Sequence, residues 1–402
     1  LLMTDKRVVI TGSGNVSGYG LGTDALMHGL RNGHSCVQST VGKFVDTRVK
    51  TAAFVPDYSE ESLFDQERCR KFLDPISQYA LLAAREAVQN SALPGHDDAK
   101  EGVAVVVGTS IGGLDTIETE FIDTNKRPAP MTIPKLMASA PASQISMEFD
   151  FHGPSFVVSS ACASAAHAIV SGVLLIKSNQ AKFAIVGGAE NTALKSYYRA
   201  WDSIRALTPD TCRPFSRGRN GLVLGEGASM FVLEDMDSAR ARGANILCEI
   251  IGFGMSADAT DILKPNVRWI KKALKNCLEN AKLNPSDVDY INAHGTGTIL
   301  NDATETSAIK DVFREHAKFL KISSTKPLHG HALAASGSME LNAVLLAINE
   351  KIIPPTINFS EPDPACDLDY VTNRPEEKNV SIALSNSFAF GGLNVVLALK
   401  KV

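Results

Sequence analysis

One cysteine of seven sits where a strand should turn into a helix, in Ser155-Phe-Val-Val-Ser-Ser-Ala-Cys162-Ala-Ser-Ala-Ala-His167. The β-branched and aromatic run ends at Val158, and an alanine-rich run to Ile176 predicts a buried helix. The first amides of a helix lack internal partners, and its dipole is positive there. A thiolate at that place is favoured, so the spacing predicts a lowered thiol pKa and a better nucleophile. The same amides suit the oxyanion of a thioester under attack. Ala161, Ala163 and Ser164 are small enough to admit an acyl group. A cysteine in an alanine-rich helix is also an ordinary packing residue, so the chemistry requires acid–base partners elsewhere.

Candidate partners stand in the second half of the chain. His294 follows a predicted strand inside a Gly/Thr turn, His329 and His331 flank Gly330, and Lys326 precedes Pro327. Each has a plain reading, as a hydrogen-bonding histidine or a solvated lysine. His329 and His331 lack a nearby thiolate or carboxylate set to complete a metal site. Taken together, a cysteine, two imidazoles and a lysine suit acyl transfer through a thioester.

The elements that must position these residues alternate. Lys6 to Ile10 reads as a strand entering a glycine-rich turn, Thr11 to Gly18, whose spacing is not G-x-G-x-x-G and argues against a nicotinamide site. An amphipathic helix is expected within 66–91, a strand over 102–107, and a proline-broken helical excursion over 114–149. Strands follow over 156–159, 183–186 and 221–234. The second half repeats this order. It has strands over 246–253, 288–293 and 321–324, helices over 269–281 and 334–348, and a terminal strand pair, 381–386 and 393–399. Ser159-Ser-Ala-Cys and Ser323-Ser-Thr-Lys each lead into a small-residue helix. The expected fold is therefore α/β, in two repeated halves, 1–245 and 246–402, with largely parallel sheets. Cys162, His294 and Lys326 all fall at predicted strand ends, where sites form in such sheets.

Composition narrows the function classes. The chain has 402 residues, 44% hydrophobic and 21% charged, with a net charge of −4. No basic stripe suits nucleic acid. No apolar run approaches the roughly 20 residues of a membrane helix, and the opening Leu-Leu-Met-Thr-Asp-Lys is too short for a signal peptide. Seven cysteines without a Cys-x-x-Cys pair point to a reducing, cytoplasmic setting.

Val157-Val-Ser-Ser-Ala-Cys-Ala-Ser-Ala, Asn292-Ala-His-Gly-Thr-Gly-Thr, Ser323-Ser-Thr-Lys-Pro-Leu-His-Gly-His and Asn386-Ser-Phe-Ala-Phe-Gly-Gly resemble, in order and spacing, the signature blocks of β-ketoacyl-[acyl carrier protein] synthases. The match is to type II elongating members of the thiolase-like superfamily. Arg213-Pro-Phe-Ser-Arg-Gly-Arg-Asn-Gly-Leu-Val-Leu-Gly-Glu-Gly-Ala matches as well, so the resemblance spans nearly the whole chain. It implies a five-layer αβαβα thiolase-like fold and a decarboxylative Claisen condensation. Cys162 would accept an acyl chain from acyl carrier protein, with the Cys162 and Phe390 amides as oxyanion hole. His294 and His331 would assist decarboxylation of malonyl-carrier protein and hold the enolate. Lys326 would order His331's surroundings through Glu305, with Asp302 in support. Phe390 would gate the acyl pocket and Ile111 would limit chain length.

The resemblance further implies a homodimer and no required cofactor. Some members hold a structural Na+ or K+, here matched to Asn292, Glu340, Ser385 and Asn386. The acidic carrier protein would dock on Arg68, Arg70, Lys71 and Arg205. Departures stand at Ala389, where the family has glycine and an added Cβ should restrict the gating loop, and at the extra imidazole of His329. They leave the acyl chain open, between housekeeping fatty acid synthesis and a specialised acyl or polyketide-like product. Two other readings remain. One is a non-catalytic chain-length partner subunit, whose relatives usually lack the cysteine. The other is a coenzyme A thiolase, which would need a second cysteine such as Cys277 or Cys366.

Overall fold

The computed structural model describes residues 5–41, 47–58, 64, 71–95, 97–122 and 127–402. Its main strands form two sets of five. The first is β1 (Val8–Ser17), β2 (Val103–Gly108), β3 (Ser155–Val158), β4 (Phe183–Glu190) and β5 (Gly227–Asp235). The second is β6 (Cys248–Ala257), β7 (Tyr290–Asn292), β8 (Lys321–Ser323), β9 (Ile382–Ala389) and β10 (Leu393–Lys400). The spatial order is β3-β2-β4-β5-β1 in one set and β8-β7-β9-β10-β6 in the other. Each set thus arranges its strands third, second, fourth, fifth, first. The senses repeat too: the first three in space are parallel and the remaining pairings antiparallel. The sets join edge to edge where Val8–Ile10 of β1 pairs with Cys248–Ile250 of β6.

Helices fill the layers. α1 (Pro75–Ser91) covers the outer face of the first set. α2 (Ser164–Lys177) and α6 (Ser336–Glu350) lie between the sets and touch each other, while α3 (Lys195–Ser203) follows β4. α4 (Val267–Ala281) and α5 (Ile299–Phe313) cover the second set. This is the five-layer αβαβα arrangement. Burial in α6 is continuous from Ser336 to Ile348, as a helix walled on all sides requires. Each buried Leu, Ile or Val there contributes about 1.5–3 kcal/mol.

β1 differs from the sequence reading, which ended the strand at Ile10 and began a turn. The strand continues through the glycines to Ser17. A Cβ at Gly12 would lie 2.2 Å from the Ala87 carbonyl oxygen, and one at Gly14 would lie 2.0 Å from that of Ala83. These glycines let α1 press onto the strand backbone; they do not form a phosphate-binding loop.

Candidate active site

Cys162, the candidate nucleophile, is set in a sharp corner. β3 ends at Val158, and Ala161 takes φ 49°, a left-handed conformation that alanine adopts only when its surroundings enforce it. The Ala163 N–H donates to the Ser160 carbonyl at 3.1 Å, and the Ser164 hydroxyl donates to the Ala161 carbonyl at 2.6 Å while accepting the Ser160 N–H at 2.9 Å. Cys162 therefore stands just ahead of α2, 6% exposed. The expected lowering of its pKa is overturned. Burial pushes the thiol up to about 12; Lys326 opposes the rise, and Glu190 and Glu340 add to it. The sulfur precedes the helix cap at Ala163, and loss of water outweighs the dipole.

His294 leaves the end of β7. Its own amide and that of Gly295 donate to the two oxygens of Glu305, each at 2.9 Å. His331 is held by its backbone: its N–H donates to the Val223 carbonyl at 2.7 Å, and its carbonyl accepts the Gly225 N–H at 3.0 Å. Its ring Nδ1 meets Ser336 Oγ at 2.7 Å. The two rings stand edge to face, centroids 5.5 Å apart at 81°. Burial, followed by Lys326, holds both imidazoles well below their usual range, so both are neutral. Neither Nε2 has a protein hydrogen bond among the described residues. Cys162, His294 and His331 line one cavity of about 240 Å³, together with Phe388 and Phe390.

Lys326 is fully buried and corrects another expectation. Its Nζ donates to Glu340 and to the His294 carbonyl, and lies 3.4 Å from His294 Nδ1. The sequence reading routed Lys326 through Glu305 toward His331. Glu305 is instead occupied by two backbone amides and by Asn386 Nδ2 at 2.9 Å, so the ammonium turns to Glu340 on α6. Asp302 is likewise structural, accepting the Phe215 N–H at 2.8 Å and the Gly297 N–H at 3.3 Å. Both ring nitrogens of His329 are taken, by the Gly330 carbonyl at 2.8 Å and Thr325 Oγ1 at 2.9 Å. This histidine braces the turn and does not line the cavity.

Phe390 stacks on Trp201 of α3, 5.7 Å apart at 20°. Gly391 N donates to the Ile262 carbonyl at 2.8 Å, and Asp258 N to that of Gly392 at 2.9 Å. The left-handed conformations of this loop fall on Gly391 (φ 82°) and Gly392 (φ 70°). Ala389 is the last residue of β9, paired with Leu393, and lines the cavity next to Phe390, so its Cβ acts at the strand end and not at the two left-handed glycines.

Other expected residues scatter. Ile111 is 43% exposed and stays off the lining of this cavity. Arg205 is exposed at the cavity mouth beside Lys264, whereas Lys71 is exposed but not at the mouth. Arg68 and Arg70 lie outside the described residues. Cys277 is buried in α4 and Cys366 sits near Arg219; neither reaches the Cys162 cavity. Asn292 and Ser385 pair in register on β7 and β9. Three buried oxygens nearby, Asn292 Oδ1, Asn386 Oδ1 and Glu340 Oε2, have no hydrogen-bond partner among the described residues.

Sequence reasoning missed Trp201 and Glu190. Trp201 was legible from Tyr197, Trp201 and Ile204, spaced as one helical face. Glu190 was legible as a charge closing an otherwise apolar strand.

A repeated α/β fold with a corner cysteine facing two neutral imidazoles defines a condensing acyltransferase. The chain matches the Beta-ketoacyl synthase N-terminal domain over residues 5–239 and the C-terminal domain over 247–360, and it belongs to that family. It is 44% identical to nodulation protein E of Rhizobium meliloti (strain 1021) over 405 residues, 99% of this chain and all of that protein. It is 36% identical to 3-oxoacyl-[acyl-carrier-protein] synthase 2 of Staphylococcus aureus (strain N315), over 99% of both chains. The ishigamide ketosynthase/chain length factor superposes with a TM-score of 0.91 at 33% identity, covering 99% of each chain. A type II polyketide acyl-carrier protein in complex with its ketosynthase (AntDE:AntF), bound to the hexaketide, gives 0.88 at 27%, also covering 99% of each chain. No described helix is long and apolar enough to cross a membrane.

Proposed function

We propose that this chain accepts an acyl group from acyl carrier protein on Cys162 and condenses it with malonyl-carrier protein, releasing CO2 and a 3-oxoacyl product two carbons longer. The observation that supports this most is the single cavity shared by Cys162, His294 and His331. A protonated thiol needs a base at the moment of attack. His331 suits that role better than His294, because the Lys326 ammonium beside His294 Nδ1 disfavours a second proton there. Sγ attacks the acyl carbonyl, His331 takes the thiol proton, and the carrier's thiolate leaves with it. The Cys162 and Phe390 amides hold the oxyanion.

In the second stage the malonyl C–C bond breaks, CO2 leaves, and the electron pair becomes an enolate. Lys326 keeps the His294 proton on Nε2. His331, whose Nδ1–H donates to Ser336 Oγ during loading, exchanges through solvent to the Nε2–H form, which the Ser336 hydroxyl accommodates by turning to donate to Nδ1. Two N–H donors then face the enolate oxygen, where charge develops. The enolate carbon attacks the acyl-cysteine carbonyl, and the Cys162 thiolate departs and regains a proton from solvent. Incubating the pure protein with acyl- and malonyl-carrier proteins tests this. No 3-oxoacyl product, with Cys162 unacylated, would refute it. A purely chain-length-setting subunit has no use for a cysteine facing two imidazoles.

Carrier-protein docking at the mouth is supported by exposed Arg205 and Lys264 beside exposed Ile204, Ile262 and Ile299, since the carrier is acidic. Homodimer formation is supported by the edge position of β3, where Phe156 is 39% exposed, and by exposed Met147 on the helix Ala140–Phe149 packed against it. The three partnerless oxygens fit a Na+ or K+ ion held by Asn292, Ser385, Asn386 and Glu340. Such an ion would supply charge that fixes Glu340 against Lys326.

A further inference from the structure

Glu190 is a buried carboxylate that acts on the Cys162 sulfur and that no step above uses. Gly108, Val158 and Gly188 lie abreast on the parallel strands β2, β3 and β4. Ser110, Cys162 and Glu190 follow a few residues beyond, at the same end of the sheet. Glu190 Oε2 accepts the Ser110 hydroxyl at 2.5 Å, the Ser110 N–H at 3.2 Å and the Ala334 N–H at 3.4 Å. The Ser110 carbonyl accepts the Ser159 hydroxyl at 3.0 Å, and Ala334 lies between His331 and Ser336. One carboxyl therefore ties the approach to the nucleophile to the turn that carries its imidazole. The end of β4 has no slack: a Cβ at Gly188 would lie 2.6 Å from the Ala334 carbonyl oxygen and 2.8 Å from Ala165 Cβ.

Charges converge on the sulfur from three elements: Glu190 from β4, Glu340 from α6 and Lys326 from the turn after β8. The Tyr197 phenol of α3 lies in the same surroundings, and burial keeps it neutral. The neutral His294 and His331 complete the set. A negative charge fixed beside a thiol raises the free energy of its thiolate. We propose that Glu190 is a positioning residue for the nucleophile: fixed between Ser110 and Ala334, its carboxylate sets the pH at which the Cys162 sulfur becomes reactive. The proposal rests on Cys162 being the nucleophile. Burial pushes the Glu190 carboxyl itself up to about 7, so its influence should switch on across neutrality.

The test is the rate at which iodoacetamide labels the Cys162 peptide, followed by mass spectrometry across pH, in wild type and Glu190→Gln. The amide keeps an acceptor for Ser110 and removes the charge. The variant-to-wild-type ratio is expected near one below about pH 6 and about threefold or more above about pH 8, threefold being the factor of half a pKa unit. A ratio that is one throughout, or constant at another value, overturns the proposal, because lost packing would not follow the carboxyl's titration. Should the Gln variant not fold, Ser110→Ala removes a donor that favours the ionised carboxyl. Its Cys162 should label faster than wild type near about pH 7.5 and converge with it by about pH 10; equal or slower labelling near neutrality overturns the proposal. Labelling needs no carrier protein, so this outcome is read separately from any failure of condensation.

Discussion

The Lys326 ammonium lies 3.4 Å from His294 Nδ1 and also donates to the His294 carbonyl, so one cation grips both the ring and the backbone of the same histidine. A positive charge at Nδ1 forces the ring's proton to Nε2 and keeps the imidazole neutral. In the proposed mechanism the lysine therefore acts through the histidine rather than on the substrate.

Lys326→Met should therefore lower elongation about 10²-fold, the scale of one lost transition-state donor, while acyl loading of Cys162 persists. It should also destabilise the fold by about 3–5 kcal/mol, because Glu340 remains buried without its partner. The double variant Lys326→Met/Glu340→Leu should recover most of that stability in urea unfolding without recovering elongation. Recovery of both would assign Lys326 a purely structural role.

Acid should destabilise the protein through its buried histidines. His294, His331 and His329 are all held below their usual range by burial, His329 to about 3. Below about pH 6.5 the unfolded chain takes up protons that the folded chain refuses, so stability is lost as pH falls. Glu190 and Glu340, each pushed up to about 7, act in the opposite sense. Folded, they keep protons that the unfolded chain releases, so their contribution declines as pH rises from about 4.5 to about 7. His329→Asn should flatten the acid limb by up to about 1.4 kcal/mol per pH unit, one proton's worth, measured by urea unfolding between about pH 5 and about pH 7. An unchanged limb would mean that His329 is protonated in the native state.

The sequence made the chemistry more legible than the wiring. Cys162, His294, Lys326 and His331 could be placed because strand ends and small-residue helices leave strong local patterns. The repeated strand order was legible as well, since each half spells the same alternation. The glycines of β1 misled because their role is set by α1, a helix more than sixty residues away. The thiol pKa misled because burial depends on tertiary packing. Lys326 could not be paired from sequence, because Glu305 and Glu340 are both buried nearby and what decides which is free is two backbone amides, which leave no signature, and the distant Asn386 side chain.

The Trp201–Phe390 stack should restrain the gate. Such a pair is worth about 0.5–1.5 kcal/mol, so Trp201→Ala should change acyl-loading rates by about twofold to tenfold. It should also broaden the range of chain lengths accepted, as read from loading across carrier proteins of graded acyl length. An unaltered profile would place the restraint elsewhere, in the Gly391–Ile262 contact.

The proposed cation site predicts a specific salt effect. KCl should raise the melting temperature saturably above the value in choline chloride at equal ionic strength, and Asn386→Ala should abolish the difference. Identical curves in the two salts would remove the ion from the account.

The central claim is that one cavity performs both stages on a single sulfur, and mass spectrometry of the Cys162 peptide in His294→Ala tests it most directly. With acyl-carrier protein the peptide should gain the acyl mass, and on adding malonyl-carrier protein it should keep that mass while wild type discharges it as 3-oxoacyl product. A His294→Ala protein that discharges as fast as wild type, or a wild type that never acquires the acyl group at Cys162, would contradict it.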